Sequence, residues 1–458
     1  MHSRPPSPIH LLHRLSSAML LLGTMLALSV VTGCRSAAPR SEPQLTEAQR
    51  QLNVDSLEYI YKTVGDNHYD PEMGGVDWPA VHDELRPRIE QAETMSAARG
   101  ILNDMIGRLN LSHFAVIPAS AYADIDPPSD SAGENDCDRR DGETGIEFRV
   151  IGDDVVVTAL IPQTPPAEAG VQTGWAIEQI AGKNIPQLVE KVRASLHDSH
   201  FEKLALQQAI KKRTRGKIGD SVDVVFRAGD GEKISKTLTL VAPIGEPYVF
   251  GNMPTYYVRL DHERMGNIGY IHLNAFFHPM FVNERFSAIM KEFADTDGII
   301  IDLRGNPGGM GGMAMGLSGW FTKEKQQMLG TMITRQAHMK FIINPRANAY
   351  TRPLAVLVDE LTGSTSEIMA GGLQDLGRAR VFGRTTAGAA QPSRFEKLPN
   401  GDRLQYAFAD YVSVGGQRLE GNGVTPDVLV ELNRASFLAK KDPDLEAARA
   451  WINEQVLK

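Results

Sequence analysis

Four short apolar runs, separated by helical stretches, constrain the second half of this chain more than any other feature. They are "NIGYIHLNAF" (267–276), "GIIIDLRG" (298–305), "PLAVLVD" (353–359) and "ARVFG" (379–383), each bounded by turn residues. Between the first two lies "FVNERFSAIMKEFADT" (281–296), whose apolar residues recur at helical spacing. Strands alternating with helices predict an α/β layer with parallel strands from about Val249 onward.

Upstream the pattern changes twice. "VDSLEYIYKTV" (54–64) and "MSAARGILNDMIGRL" (95–109) place apolar residues at i, i+3, i+4 and i+7, with a helix start expected at Met95-Ser96. They predict a helical bundle over 46–118, closing at "LNLSHFAVIP". Residues 119–141, rich in Pro, Gly, Ser and acids, read as an acidic linker. Residues 142–243 then alternate short strands with turns. "TGIEFRVI", "DDVVVTALI" and "AIEQIAG" are strands, "PAEAG" a short helix, and "KIGDSVDVVFRAGDGEKISKTLTLV" a hairpin turning on Gly-Asp-Gly. That predicts a small β-rich domain, then a core over 244–440 and a C-terminal helix over 441–458.

The N-terminus reads as a targeting segment. Arg4 and Arg14 precede an apolar run, Ala18 to Val31, too short for a membrane span of about 20 residues. It ends in "VTGC", which resembles a bacterial lipobox with Cys34 as the lipidated residue. The expectation is a signal peptide over 1–33 and a flexible tether over 34–45. The chain would then be held to the cell envelope by an N-terminal lipid, facing the periplasm. Arg35, in place of an aspartate, favours the outer membrane. Cys137 would be the other cysteine of the mature chain, which excludes an internal disulfide and a CxxC-type metal site. A net charge of −8 with no long basic run beyond the N-terminus argues against a nucleic-acid partner. No cofactor or metal is expected.

Three features carry chemistry. In "VDELTGSTSEIMAGGLQD", Ser364 and Ser366 stand where a strand turns into a helix. Ser364 lies three residues before Glu367, the spacing of a capping box. The same turn would expose a nucleophilic hydroxyl beside the free N–H groups of a helix start. Spacing leaves both readings open. "IDLRGNPGGMGG" (301–312) lacks the features of a phosphate-binding loop, but suits close backbone approach to a substrate carbonyl. "NLSHF" places Ser112-His113 at the end of the helical region, and a lone histidine decides nothing.

"GSTSEIMAGGLQDLGRARVFGRTTAG", "DLRGNPGG" and "EGNGVTPDVLVE", in this order, resemble the tail-specific, or C-terminal-processing, serine protease family. "GIEF…VVVTALIPQTPPAEAGVQTGWAIEQIAGKNI" looks like the PDZ domain of those proteases, and "DNHYDPEMGGVDW" like a segment of their helical region. The resemblance covers roughly residues 50–435. It implies a multidomain α/β protein: an N-terminal helical bundle, a β-rich PDZ-like domain, and an α/β (ClpP/crotonase-like) protease core.

The family has two kinds of active site. One pairs serine with a lysine in T-F-G-K-G, and here the matching segment is "TAGAA" with Ala389 at the lysine position. Lys397, the nearest lysine downstream, is out of register. The other kind resembles tricorn protease. It implies Ser364 as nucleophile, Ser112 and His113 as the Ser-His pair, and Glu420 as the acid behind them. The oxyanion would be held by the N–H of Thr365 and of Gly308 or Gly309, leaving Ser366 as a helix-start residue. A histidine base predicts an acid limb near pH 6 to 7. In the PDZ-like segment, Gly145-Ile146 would be the carboxylate loop for a peptide tail.

The expected function is a serine endopeptidase acting on polypeptides, selected through their C-terminal tails. The alternative is a catalytically inactive scaffold that binds tails, kept in view by Ala389. Oligomeric state is open, a homo-oligomer included.

Overall fold

The computed structural model describes residues 42–119, 142–195, 202–253 and 255–457. Cys34, Cys137, the apolar run, and most of the tether and acidic linker lie outside the described residues. The chain from Gln44 onward is a multidomain α/β fold of helices and mixed sheets.

Its centre is a six-stranded sheet in the order Leu260–Met265, Ile268–Leu273, Gly298–Asp302, Leu354–Val358, Arg380–Gly383, Val428–Leu429. The first pair is antiparallel and every later pair is parallel. Gly298–Asp302 and Leu354–Val358 are buried at every residue, because helices cover both faces. Alternation sorts their side chains. Ile299, Ile301, Val356 and Val358 join one apolar core with the helices Pro279–Glu292, Gly311–Ser318 and Thr365–Asp375. Ile300, Ala355 and Leu357 join another under the C-terminal helix Pro443–Val456, through Ala448 and Ile452. Asp442 starts that helix by accepting the Leu445 N–H at 3.2 Å.

The N-terminal helices Glu47–Asn67, Trp78–Glu90 and Met95–Gly107 begin at Thr46, Asp77 and Thr94, each accepting an N–H of the first turn. The helix expected to start at Met95-Ser96 is thus capped one residue earlier. Leu57, Ile60, Leu85 and Leu102 pack together, but not alone. Leu398, Leu404 and Tyr406, from the hairpin Ser393–Lys397/Arg403–Ala407, belong to the same core. The strand Ala115–Ile117 pairs antiparallel with that hairpin, Val116 opposite Leu404. Arg99 adds two bonds to Asp402, at 2.8 and 3.0 Å. The helical region is completed by chain from the far end of the sequence, and this pairing sets where residues 112 and 113 lie.

Residues 142–241 hold a second sheet, in the order Ile146–Ile151, Asp154–Leu160, Ala176–Ile180, Ser221–Arg227, Lys233–Thr239. Phe148, Ile177 and Phe226 lie in its core. Two helices unread in the sequence, Ile185–Ser195 and Glu202–Lys211, pack against it. The signal was present: Ile185, Leu188, Val189 and Val192 have i, i+3, i+4, i+7 spacing. Arg149 ties this sheet to the central one, its guanidinium 2.7 Å from Asp359 Oδ2 at the end of Leu354–Val358.

Candidate active site

The strand Leu354–Val358 ends in a tight turn. Thr362 N–H donates to Asp359 O at 2.9 Å, and Thr362 Oγ1 donates to Leu303 O at 2.8 Å. Gly363 N–H then reaches Asn306 O at 3.0 Å. Ser364 follows at the N-cap of Thr365–Asp375, with φ 53° and ψ −120°. A non-glycine residue in such a region stores strain of order 1–3 kcal/mol, held only where surrounding structure over-determines it. Ser366 is fully buried and donates its hydroxyl to Asn306 O at 3.1 Å, a structural contact at the helix start.

The Gly-rich loop lies against this turn. Thr365 Oγ1 donates to Gly309 O at 2.8 Å. A Cβ on Gly308 would stand 2.7 Å from Ser364 Cβ, and one on Gly309 would stand 2.3 Å from Phe276 O. Glycine is required because the backbones approach this closely. The loop treats its two glycine N–H groups differently. Gly308 N–H already donates to Asn306 Oδ1 at 2.9 Å, which argues against it as a donor to substrate. Among the described residues the N–H groups of Gly309 and Thr365 have no hydrogen-bond partner.

Ser112, His113 and Glu420 form one chain of hydrogen bonds. Glu420 Oε1 accepts the Ser112 N–H at 2.7 Å, and Oε2 accepts the Ser112 hydroxyl at 2.8 Å. Ser112 Oγ lies 2.7 Å from His113 Nδ1. A hydroxyl has one proton. With it on Glu420, His113 Nδ1 must be the donor to Ser112 Oγ, and Nε2 keeps its lone pair. His113 also has positive φ, 60°, the second strained residue of the set. It is partly buried, and desolvation lowers its pKa to about 4, so the ring is neutral at neutral pH. Burial raises the Glu420 carboxyl, opposed by the bonds from Ser112 and Ala390 and by the Arg418 charge.

The loop 386–390 joins the two halves. Ala390 N–H donates to Glu420 Oε2 at 3.1 Å, and Ala389 O accepts the Ser364 N–H at 2.8 Å. Glu367, fully buried, holds this loop. Its oxygens accept from Thr386 Oγ1 (2.5 Å), Gly388 N–H (2.8 Å), Ser364 N–H (2.9 Å) and Ala389 N–H (3.0 Å). Burial outweighs these bonds and lifts its pKa to about 7. Sequence reasoning took Glu367 for a capping-box residue alone. It does reach back to Ser364, but its other three partners lie 19 or more positions away and carry no local signal.

No hydrogen bond joins Ser364 to His113 in this structure, and no lysine is bonded to Ser364 among the described residues. Ala389 is nearly buried, and Lys397 is exposed on the hairpin, in register with Arg403. Gly145 (φ 81°) and Ile146 open the edge strand of the second sheet, where Ile161 N–H donates to Gly145 O at 2.9 Å. On that strand Phe148 O accepts from Gln207 Nε2 at 3.0 Å, from the adjacent helix. Among the described residues no cluster of three or more His, Cys, Asp or Glu side chains could hold a metal ion.

Residues 267–430 match the model of Peptidase family S41, and residues 55–107 that of the Tricorn protease C1 domain. Over 422 residues the chain is 22% identical to a probable CtpA-like serine protease of Staphylococcus epidermidis, covering 90% of this chain and 72% of the relative. Among solved structures it is similar to a photosystem II D1 C-terminal processing protease, with a TM-score of 0.54 at 19% identity over 88% of this chain and 97% of that one. It is also similar to mature CPAF, with a TM-score of 0.59 at 14% identity over 89% and 97% of the two chains. At these identities the structural likenesses concern the fold alone.

Proposed function

We propose that this chain, a serine peptidase of the tail-specific protease family, cleaves polypeptides with Ser364 as nucleophile and His113 as general base. The observation that carries this reading is the relay from Glu420 through Ser112 to His113, which leaves Nε2 free to accept a proton. Ser364 Oγ attacks the scissile carbonyl carbon as His113 Nε2 takes its proton. The carbonyl electrons move to oxygen, and the N–H groups of Thr365 and Gly309 receive that oxyanion. His113 returns the proton to the leaving amine as the carbon–nitrogen bond breaks, leaving an acyl-enzyme on Ser364. Water, activated by the same ring, then releases the acid. A Ser–His bond absent without substrate commonly tightens around it.

Substrate selection is assigned to the second sheet, read as a PDZ-like domain. An extended tail adds to the edge strand Ile146–Ile151, with its carboxylate at Gly145-Ile146. Cys34 is read as a lipid anchor, placing the enzyme in the cell envelope on the periplasmic side, at the outer membrane.

Labelling with a serine-reactive phosphonate tests the assignment. Wild-type protein should take up one label, absent in Ser364→Ala. Equal labelling of both would remove Ser364 from the role. A folded wild-type chain that takes no label would favour a tail-binding scaffold.

A further inference from the structure

The "DNHYDP" stretch, between the first two helices, reaches the proposed catalytic relay from its outer side. Tyr69 Oη accepts from Arg418 Nη2 at 2.9 Å, and Asp410 Oδ2 accepts from Arg418 Nε at 2.6 Å. Arg418 is thus held at two points of its guanidinium, by the helical region and by the strand Ala409–Ser413. It lies two residues before Glu420, on the same loop. His68 stacks on Tyr69 with ring centroids 4.6 Å apart and faces Phe114, the neighbour of His113, at 6.2 Å. The clamp and the relay are two sides of one packed unit.

We propose that Arg418, clamped by Tyr69 and Asp410, is a positioning residue that keeps Glu420 ionised and so holds His113 in the Nδ1–H tautomer. The inference rests on the reading of His113 as the base.

The argument is about acceptors. Ser112 Oγ–H has two candidate partners, Glu420 Oε2 and His113 Nδ1. A carboxylate is the stronger acceptor, so the proton points to Glu420 and Nδ1–H donates back. Once Glu420 takes up a proton, its remaining carbonyl is a far weaker acceptor than an unprotonated imidazole nitrogen. The Ser112 hydroxyl then turns to Nδ1. The ring's single proton, released from Nδ1 to solvent, is replaced at Nε2. One proton is gained in all, on Glu420, and the ring stays neutral, but Nε2 no longer faces Ser364 as a base.

The charge on Glu420 therefore decides the tautomer, and its surroundings oppose that charge. Burial raises its carboxyl, and Arg418 is the cation that acts against this. The other ionisable groups around it are His113 through Ser112, Glu367 beneath the loop that carries Ala390, Asp410 and Tyr69 on Arg418, and His68 behind Tyr69. None of these is a second permanent cation. Asp410 and, above about pH 7, an ionised Glu367 add to the opposition, and the bond of Asp410 to Arg418 offsets the first.

The test uses the full chain with ¹⁵N-labelled histidine, and His113→Ala to assign the ring. In wild type the proton should sit on Nδ1 near pH 8 and shift to Nε2 on acidification, before any imidazolium forms. In Arg418→Gln that crossing should move up by about half to one pH unit. Arg418→Lys should restore most of it, and Tyr69→Phe, which removes one hydroxyl, should move it less in the same direction. The acid limb of kcat/KM should follow. A crossing unmoved in Arg418→Gln and Tyr69→Phe overturns the proposal. So does a ring that passes straight from Nδ1–H to imidazolium, or an activity loss in Arg418→Gln that is equal at every pH. The tautomer is read without turnover, so it decides the clamp even if Ser364→Ala proves active and the catalytic assignment fails.

Discussion

Glu420 accepts two hydrogen bonds from Ser112 across 308 positions of sequence, the N–H at 2.7 Å on one oxygen and the hydroxyl at 2.8 Å on the other. Two-point attachment removes the rotation that a single hydroxyl contact would leave. The serine thus becomes a rigid bridge, and His113 inherits its orientation.

Ser364→Ala and His113→Ala should each lower peptide cleavage by about three or more orders of magnitude, and the double variant should be no worse than either. Lys397→Ala should stay within about twofold of wild type, since this exposed side chain takes no part in the proposed reaction. Steady-state cleavage of an unfolded polypeptide measures all four. A loss in Lys397→Ala matching that of Ser364→Ala would instead favour a lysine base.

The acid limb should lie lower than a free histidine implies. Sequence reasoning places it at pH 6 to 7, but desolvation lowers His113 to about 4. Protonation of the base then cannot end activity at pH 6. The limb should lie below the free-histidine value, and Glu420, whose carboxyl burial raises from its ordinary value, should contribute to it. The same shift carries a stability cost. From about pH 6.5 down to 4 the unfolded chain binds a proton at this residue that the folded chain does not, so stability falls with pH in that window. A profile of kcat/KM from pH 4 to 9 with its midpoint at 6.5 would contradict this.

Glu367→Gln should cost both activity and stability, because an NH₂ group would face the N–H donors that an oxygen now accepts. A donor left unpaired in a buried site costs about 1–3 kcal/mol. The pH dependence has a definite sign. The folded pKa, about 7, lies above the ordinary value of 4.5, so the wild-type contribution is full below 4.5 and is lost as pH rises through 7. The margin in melting temperature of wild type over the variant should shrink over that range. A margin that widens would show the carboxylate to be ionised throughout.

Peptides with a free C-terminal carboxylate should bind Ser364→Ala protein about tenfold more tightly than their amides. Calorimetry with matched acid and amide peptides measures this. Equal affinities would remove Gly145-Ile146 from the carboxylate role.

Cys34→Ser should release the protein from membranes or stop its maturation, by the resemblance of "VTGC" to a lipobox. Fractionation of wild type and variant to the same compartment would rule out the lipid anchor.

Local sequence determined a large part of this protein. The buried strand "PLAVLVD" and the helix after it are set by apolar patterning within a few residues, and the Ser364 turn by the Gly-Ser-Thr-Ser that joins them. The Gly-rich loop announced close backbone approach, and Gly308 and Gly309 do lie against Ser364 and Phe276. Motif order brought Ser112, His113 and Glu420 into consideration through resemblance. Spacing by itself left a histidine among twelve and a serine that could equally have been a cap. Only the tertiary structure decided which glycine keeps a free N–H, which group meets His113 Nδ1, and what holds the loop beside Ser364. Those outcomes depend on Asn306 meeting Gly308, Ser112 meeting Glu420, and Glu367 meeting Thr386, Gly388 and Ala389. The last two sets of contacts are made when the strand Ala115–Ile117 pairs with Arg403–Ala407 and the 386–390 loop folds over the start of the helix Thr365–Asp375. A hydrogen bond's direction and a group's burial belong to the partners that packing brings together. They have no signature in a stretch of chain that contains one partner alone.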